Sequence, residues 1–195
     1  MSPILDSIGS VKSFGWGAVS EFVGTPSFES IATVSVGAGG TSNIDFNSIP
    51  STYQHLQIRG IYKTNRDADS QMYTRFNGDA TNNYSYHGLS SFNGATPTSG
   101  GSGTLNVGGW GNCGPTAANI FTTFIMDILD YTSANKNKTV RISNGFDTNG
   151  GGLAGLFSFE WRSTAAISSI RIFCANSGVT QQYSHFALYG IKAAA

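Results

Sequence analysis

Apolar and polar residues alternate with period two along most of the chain from Phe28 onward, and Gly, Asn, Ser and Pro break the alternation at short intervals. Successive side chains of a strand point to opposite faces, so this pattern predicts antiparallel strands with one face buried. The segment Ser30–Gly60, SIATVSVGAGGTSNIDFNSIPSTYQHLQIRG, is expected to hold a first group of three antiparallel strands. Ala32, Val34 and Val36 alternate with Thr33 and Ser35 up to the glycine turn Gly37–Gly40. Ile44 and Phe46 flank Asp45 ahead of the Ile49-Pro50-Ser51 corner. Leu56, Ile58, Gly60 and Tyr62 then alternate with His55, Gln57 and Arg59, and the Leu56/Ile58 face is expected to enter the core.

The pattern continues. Met72, Thr74 and Phe76 alternate with Tyr73 and Arg75, and Asn82–Leu89 reads as a further strand. Ser90–Pro115, rich in Gly, Ser, Thr and Asn, reads as a long loop region with one strand inside it. Asn119–Tyr131 is the densest apolar run. Its Thr, Ile and Phe content, with Ile120, Phe124, Met126 and Ile128 on one face, favours strand over helix. Thr139–Ser143, the alternating Leu153, Gly155, Phe157, Phe159 and Trp161, then Ile170–Cys174 and Phe186–Gly190 complete the series. Roughly ten short strands with turn signals between them predict an all-β fold, an antiparallel β-sandwich or jelly-roll-like domain. No repeat of fixed period is present, which argues against a propeller or β-helix. A length of 195 residues suits one such domain, placed at 28–195.

Residues 1–27 differ. Ile4, Leu5, Ile8 and Val11 have the spacing of a short amphipathic helix begun by Pro3, and Phe14-Gly15-Trp16-Gly17 breaks it. So short an apolar lead cannot bury itself alone. It is read as an assembly anchor, with Ile4, Leu5, Ile8, Val11, Phe14 and Trp16 as the contact residues. The same stretch lacks the basic start and continuous apolar core of a secretory signal. No run approaches the roughly eighteen apolar residues of a spanning helix.

Composition narrows the function. Formal net charge is zero and 11% of residues are charged, with no basic stripe of the kind that grips nucleic acid. Near-zero net charge with 25 glycines favours association, as in a protein that lives within an assembly.

Candidate chemistry is sparse. His55, His87 and His185 are isolated on strands, without metal-ligand spacing. Asp147-Thr148-Asn149-Gly150 resembles the start of a calcium loop, but the twelfth position is Ser158 rather than Glu. It reads as turn chemistry, as do Asp67/Asp69 and Asp127/Asp130. Asp127, Asp130, Asp147 and Glu160 match a glycosidase acid pair by residue type only. There is no GxSxG elbow or P-loop, and Gly37–Gly40 joins two strands rather than a strand and a helix. Neither a cofactor nor a metal is expected, and the chain reads as non-enzymatic. Cys174 lies in phase with Ile170 and Ile172 as a small buried residue, Cys113 lies in a glycine loop, and the spacing leaves their pairing open. Tyr62, Tyr73, Tyr84, Tyr86, Trp110 and Tyr183 sit near Asn- and Gly-rich loops, where they would suit sugar stacking or subunit contact, or else complete the core. Tyr84, Tyr86 and Trp110 are the chosen surface-contact residues.

Four segments taken in order resemble a family of small structural proteins of tailed bacteriophages: Ser30–Gly60 above, MYTRFNGDATNNYSYHGL (Met72–Leu89), MDILDYTSANKNKTVR (Met126–Arg141) and FALYGIK (Phe186–Lys192). The lead MSPILDSIGS is similar to the N-termini of that family. The resemblance implies a virion component without known catalytic residues, assembled in a bacterial cytoplasm, where cysteines stay reduced. An anchor ahead of one β domain with aromatic, glycine-rich loops suits a tail component (fibre, spike or baseplate module), as a homotrimer that contacts other virion proteins and host surface glycans. The alternative is a capsid decoration or cement protein. A polysaccharide-acting enzyme stands third.

Overall fold

A computed structural model describes residues 27–66, 70–114 and 117–193. The anchor residues Ile4, Leu5, Ile8, Val11, Phe14 and Trp16 lie outside the described residues, as do Asp67 and Asp69.

The described chain is all-β, with strands β1 (Phe28–Ser35), β2 (Asn43–Phe46), β3 (His55–Tyr62), β4 (Gln71–Phe76), β5 (Tyr84–Phe92) and β6 (Thr98–Leu105), followed by β7 (Gly108–Asn112), β8 (Thr122–Ile128), β9 (Lys138–Asp147), β10 (Gly152–Trp161), β11 (Ile170–Cys174) and β12 (His185–Ile191). They form an eight-stranded sheet in the order β1-β12-β3-β8-β9-β10-β5-β6 and a four-stranded sheet in the order β2-β11-β4-β7. All pairings are antiparallel, and the two sheets enclose one core as a β-sandwich.

Alternation gave the buried faces of β3 and β8 correctly: Leu56, Ile58 and Tyr62 of β3 and Phe124, Met126 and Ile128 of β8 point into the core, joined by Val140 and Ile142 of β9. Within the dense run Asn119–Tyr131, Thr122–Ile128 is strand, as its composition indicates, while Asn119–Phe121 and Leu129–Tyr131 lie in the connections on either side. The Ser30–Gly60 strands do not pair with one another, however. β1 and β3 lie on either side of β12, the last strand, and β2 pairs with β11 in the other sheet.

The region read as one long loop with a single strand holds two, β6 and β7. β6, TSGGSGTL, carries no apolar residue before Leu105, so it gives no alternation signal, and backbone pairing with β5 holds it as an edge strand. β7, GGWGN, is almost wholly buried despite its glycines. In β7 the Phe159 ring sits on Gly108, and inward glycines of β5, β10 and β12 take rings in the same way. A Cβ at Gly108 would meet the Phe159 ring at 2.5 Å, one at Gly88 or Gly155 the Phe157 ring, and one at Gly190 the Tyr53 ring. Glycine therefore serves the packing here, because its missing Cβ lets a neighbouring ring reach the backbone.

Gly60 shows the same device between β3 and β8, where a Cβ would fall 2.4 Å from Phe124 Cε1 and 2.9 Å from the His185 carbonyl. Gly60→Ala is expected to cost about 2–3 kcal/mol by overpacking. Gly37→Ala, which meets open space, should melt within a degree or so of the parent, about as a neutral surface change does. Equal melting temperatures for the two variants would refute the ring-on-glycine account.

Two aromatic groups fill the core: Tyr62, Trp110, Phe124 and Phe186, with Trp110 and Phe124 centroids 4.8 Å apart, and Phe76, Tyr84, Phe159 and Trp161. Asp79 fixes the second group, accepting hydrogen bonds from Trp161 Nε1 at 2.7 Å, Asn83 Nδ2 at 3.0 Å, and Thr81 through N–H at 2.8 Å and Oγ1. Desolvation acts to raise its pKa, but the bonds from Thr81, Trp161 and Asn83 outweigh it and hold the carboxyl well below the usual carboxylate range. A folded-state pKa below the unfolded value of about 3.9 gives stability that is present above that pH and lost as pH falls through the folded value. Urea unfolding should therefore show the native state weakening below about pH 4, and Asp79→Asn should flatten that dependence. A variant with the parent's acid slope would remove Asp79 from the account.

Cys113 and Cys174 form a disulfide. This corrects the expectation of reduced thiols. Cys113 follows β7, Cys174 ends β11, and β4 lies between those strands, so the bond spans one end of the smaller sheet.

Candidate functional site

The aromatic residues chosen from sequence as a surface do not form one. Tyr84 and Trp110 are buried within the chain itself, at 0% and 1% exposure, and Tyr86 is half-buried against the core. The polar atoms of Tyr84 and Trp110 have internal partners: Phe76 N–H donates to Tyr84 Oη at 3.0 Å, and Trp110 Nε1 donates to Thr74 Oγ1 at 2.8 Å. Burial pushes the Tyr84 phenol up to about 12. Tyr62 is buried as well, whereas Tyr183 is the most exposed large apolar side chain among the described residues, at 76%.

Tyr183 marks a cleft at the end of the sandwich where β1 and β3 finish and β8 and β12 begin. Four connections meet there, and backbone bonds lace three of them together. Thr41 and Thr180 exchange N–H···O bonds of 2.9 and 2.8 Å, Tyr183 N–H donates to the Val36 carbonyl, and Gln181 N–H donates to the Lys63 carbonyl at 2.8 Å. Asn65 donates its N–H to the Val179 carbonyl and accepts the Val179 N–H on Oδ1 at 2.8 Å, so its side chain completes a short stretch of pairing. Lys63 Nζ donates to the Ala117 carbonyl and so ties in the fourth connection. Gly40 closes the floor. Its φ is +72°, and a Cβ there would meet Thr180 O and Val179 Cγ1 at 2.6 Å.

The cleft has a volume of about 610 Å³. Phe121 and Tyr183 supply aromatic surface, and Asn119, Gln181 and Gln182 supply side-chain amides with no hydrogen-bond partner among the described residues. Asn119 and Tyr183 both hold left-handed backbone, at φ 61° and 70°. For a bulky residue such as Tyr this conformation is costly and persists where surrounding structure imposes it, a condition concentrated at binding sites. Here the Tyr183 N–H bond to Val36 and the neighbouring Ser184 bonds to Gln181 and Lys63 impose it. The result is a rigid polar cleft with one raised ring. Amides that both donate and accept, beside an aromatic face, suit a polyhydroxylated ligand.

Comparison with family models, with curated proteins and with solved structures gives no match. The cleft is thus read from its own chemistry. Of its residues, sequence reasoning singled out only Tyr183 as an exposed aromatic. The consecutive Gln181-Gln182-Tyr183 in the polar gap before β12 was the available signal for two more. Asn119 and Phe121 sit some sixty residues away in the chain and reach the cleft only through the fold.

The other candidates are dispersed. His87 and His185 are solvent-facing, and His55 Nδ1 accepts the Asp130 N–H at 3.0 Å. Asp130 also binds Lys136 and Gln54, which lower its pKa in that order. Asp127 binds Gln57 and Arg141, Glu160 binds Asn137, and Asp147 accepts the Asn149 N–H in the β9–β10 turn as Asp does in ordinary turns. No group of three or more His, Cys, Asp or Glu gathers among the described residues.

Proposed function

We propose that this protein is a non-enzymatic structural component of a tailed-phage virion, a tail module working as a homotrimer whose Tyr183 cleft rests on host surface glycan. The virion setting follows from the four resembling segments and from the near-neutral, glycine-rich composition. The glycan contact is carried by one observation: a ring at 76% exposure, held in strained backbone, beside three unpartnered side-chain amides. A sugar's C–H face lies on such a ring while its hydroxyls bond to the amides. The protein would assemble in the bacterial cytoplasm and act on the finished particle.

Two measurements test this reading. Gold-labelled protein located on intact virions by electron microscopy should mark the tail, and label confined to the head would replace the tail module with a capsid decoration protein. A host-glycan array should give binding that Tyr183→Gly weakens about tenfold, the size of one lost stacking contact. Glycine tolerates the left-handed backbone, so the variant should fold at least as well as the parent. Equal binding by parent and variant would sink the cleft assignment, and release of reducing ends from host polysaccharide would turn the protein into an enzyme.

A further inference from the structure

Four of the seven exposed large apolar side chains among the described residues are Ile61, Leu89, Ile125 and Leu156, exposed by 40 to 51%. All four stand on the outer face of the eight-stranded sheet. Register places Arg59, Ile125, Ser143, Leu156 and Leu89 side by side in one row across β3, β8, β9, β10 and β5. Ile61 begins the next row, followed by Thr123, Gly145 and Ala154, all small or weakly polar. The row on the other side, Gln57, Asp127, Arg141, Ser158 and His87, is polar. Its opposite charges are already matched within the chain, since Arg141 Nη2 lies 3.0 Å from Asp127 Oδ2.

The same face is relieved by hollows beside its raised side chains. A groove of about 390 Å³ opens between β8 and β9 at Thr123, Ser143 and Gly145. Another of about 470 Å³, bordered by Gly88, Gly100 and Gly101, flanks Leu89 and Leu156. Branched apolar knobs next to grooves bordered by small residues (Ser143 and Gly145 in one, Gly88, Gly100 and Gly101 in the other) make a surface that a copy of itself can fill.

We infer that copies of this chain meet through this face, the Ile125 and Leu156 side chains of one protomer entering the small-residue grooves of the next. Two further points favour a second copy over an unrelated partner. The chain has zero formal net charge, the Asp127–Arg141 pair is matched within the face, and Arg59, the remaining charge of the apolar row, is bonded to Gln57 and lies over the Phe28 ring, so a copy brings little unmatched charge into contact. Eight strands about 4.8 Å apart and about seven residues long present a face on the order of 800 Å², what each partner buries in a stable interface. The inference rests on the virion reading only for the number of copies.

The test is the mass of the full chain in solution by sedimentation equilibrium, for the parent, for Leu156→Lys with Ile125→Lys, and for Leu156→Ser as a milder change. The expected result is a self-associated parent, a monomeric double variant and weakened association for Leu156→Ser, all with the parent's circular dichroism. Thr139→Lys, at the polar margin of the same face, should leave the mass unchanged. A parent dimer that the double variant splits would support this face while overturning the three-fold count. A monomeric parent, or an oligomer indifferent to the substitutions, would overturn the inference whatever the virion labelling shows.

Discussion

Replacing Cys113 and Cys174 together by Ala should lower the unfolding free energy by about 4 kcal/mol, taking the chain-entropy cost of closing a loop of this length. The bond joins residues 61 apart in sequence, so its loss frees a long stretch of the unfolded chain. It also unties three strands. Cys113 N–H donates to the Ser70 carbonyl at 2.7 Å just before β4, Cys174 pairs with Met72 of β4, and the sulfurs close the bracket from β7 to β11. These strands have only five or six residues each, and short strands gain little from their own ladder. The melting temperature should fall by on the order of 10 °C in a domain of this size. Urea unfolding with and without reductant checks the same quantity in the parent. Protein made in a reducing cytoplasm should start at the lower value and rise on oxidation. A change under about 1 kcal/mol would mean that the smaller sheet holds without its bracket.

Lys138→Met is expected to cost about 3–5 kcal/mol, more than any surface substitution of this chain. Lys138 opens β9 on the inner face, opposite Trp161, and is fully buried. Its ammonium donates to the carbonyls of Ser133 and Lys136 at 2.8 Å and of Ser163 at 3.4 Å. It thereby closes the β8–β9 connection and pins the chain leaving β10. Burial pushes its pKa below the usual lysine value, since the charge has left water. Methionine keeps the aliphatic stem but leaves three carbonyls without their donor, and a stranded buried polar group costs more than the bond itself contributed. Thr139→Ala, one residue on and solvent-facing, should change the urea midpoint little. Similar midpoints for both variants would show that water reaches the Lys138 carbonyls.

Neither feature could be read from the chain. Lys138 looks like an ordinary polar residue at the start of a strand, and its burial depends on a turn that folds back over it. The cysteines' pairing depends on β4 lying between β7 and β11, a matter of sheet order. The cleft shows the same division. Tyr183 was legible as an aromatic in a polar gap. That Asn119 and Phe121 stand beside it follows from β8 and β12 flanking β3, which brings the connections before both strands to one end.

The sequence by itself determined the fold class and the inward face of the strands with clear alternation, β1–β4, β8 and β10–β12, because side-chain alternation is a local property of extended backbone. It also determined the turns, where Asp147 accepts the Asn149 N–H and the Gly40 N–H donates to the Gly37 carbonyl, both bonds between near neighbours in the chain. Tertiary structure decided which strands pair, since β1 and β3 find their shared partner β12 more than a hundred residues away. It decided the aromatic residues too. Tyr84 and Trp110 stand near Asn- and Gly-rich segments, a context that suits an exposed ring, yet both are buried in a core where Phe124, Phe157, Phe159 and Tyr53 sit directly on glycine backbone. A glycine's neighbours in space, not in sequence, settle whether it opens a surface or floors a core.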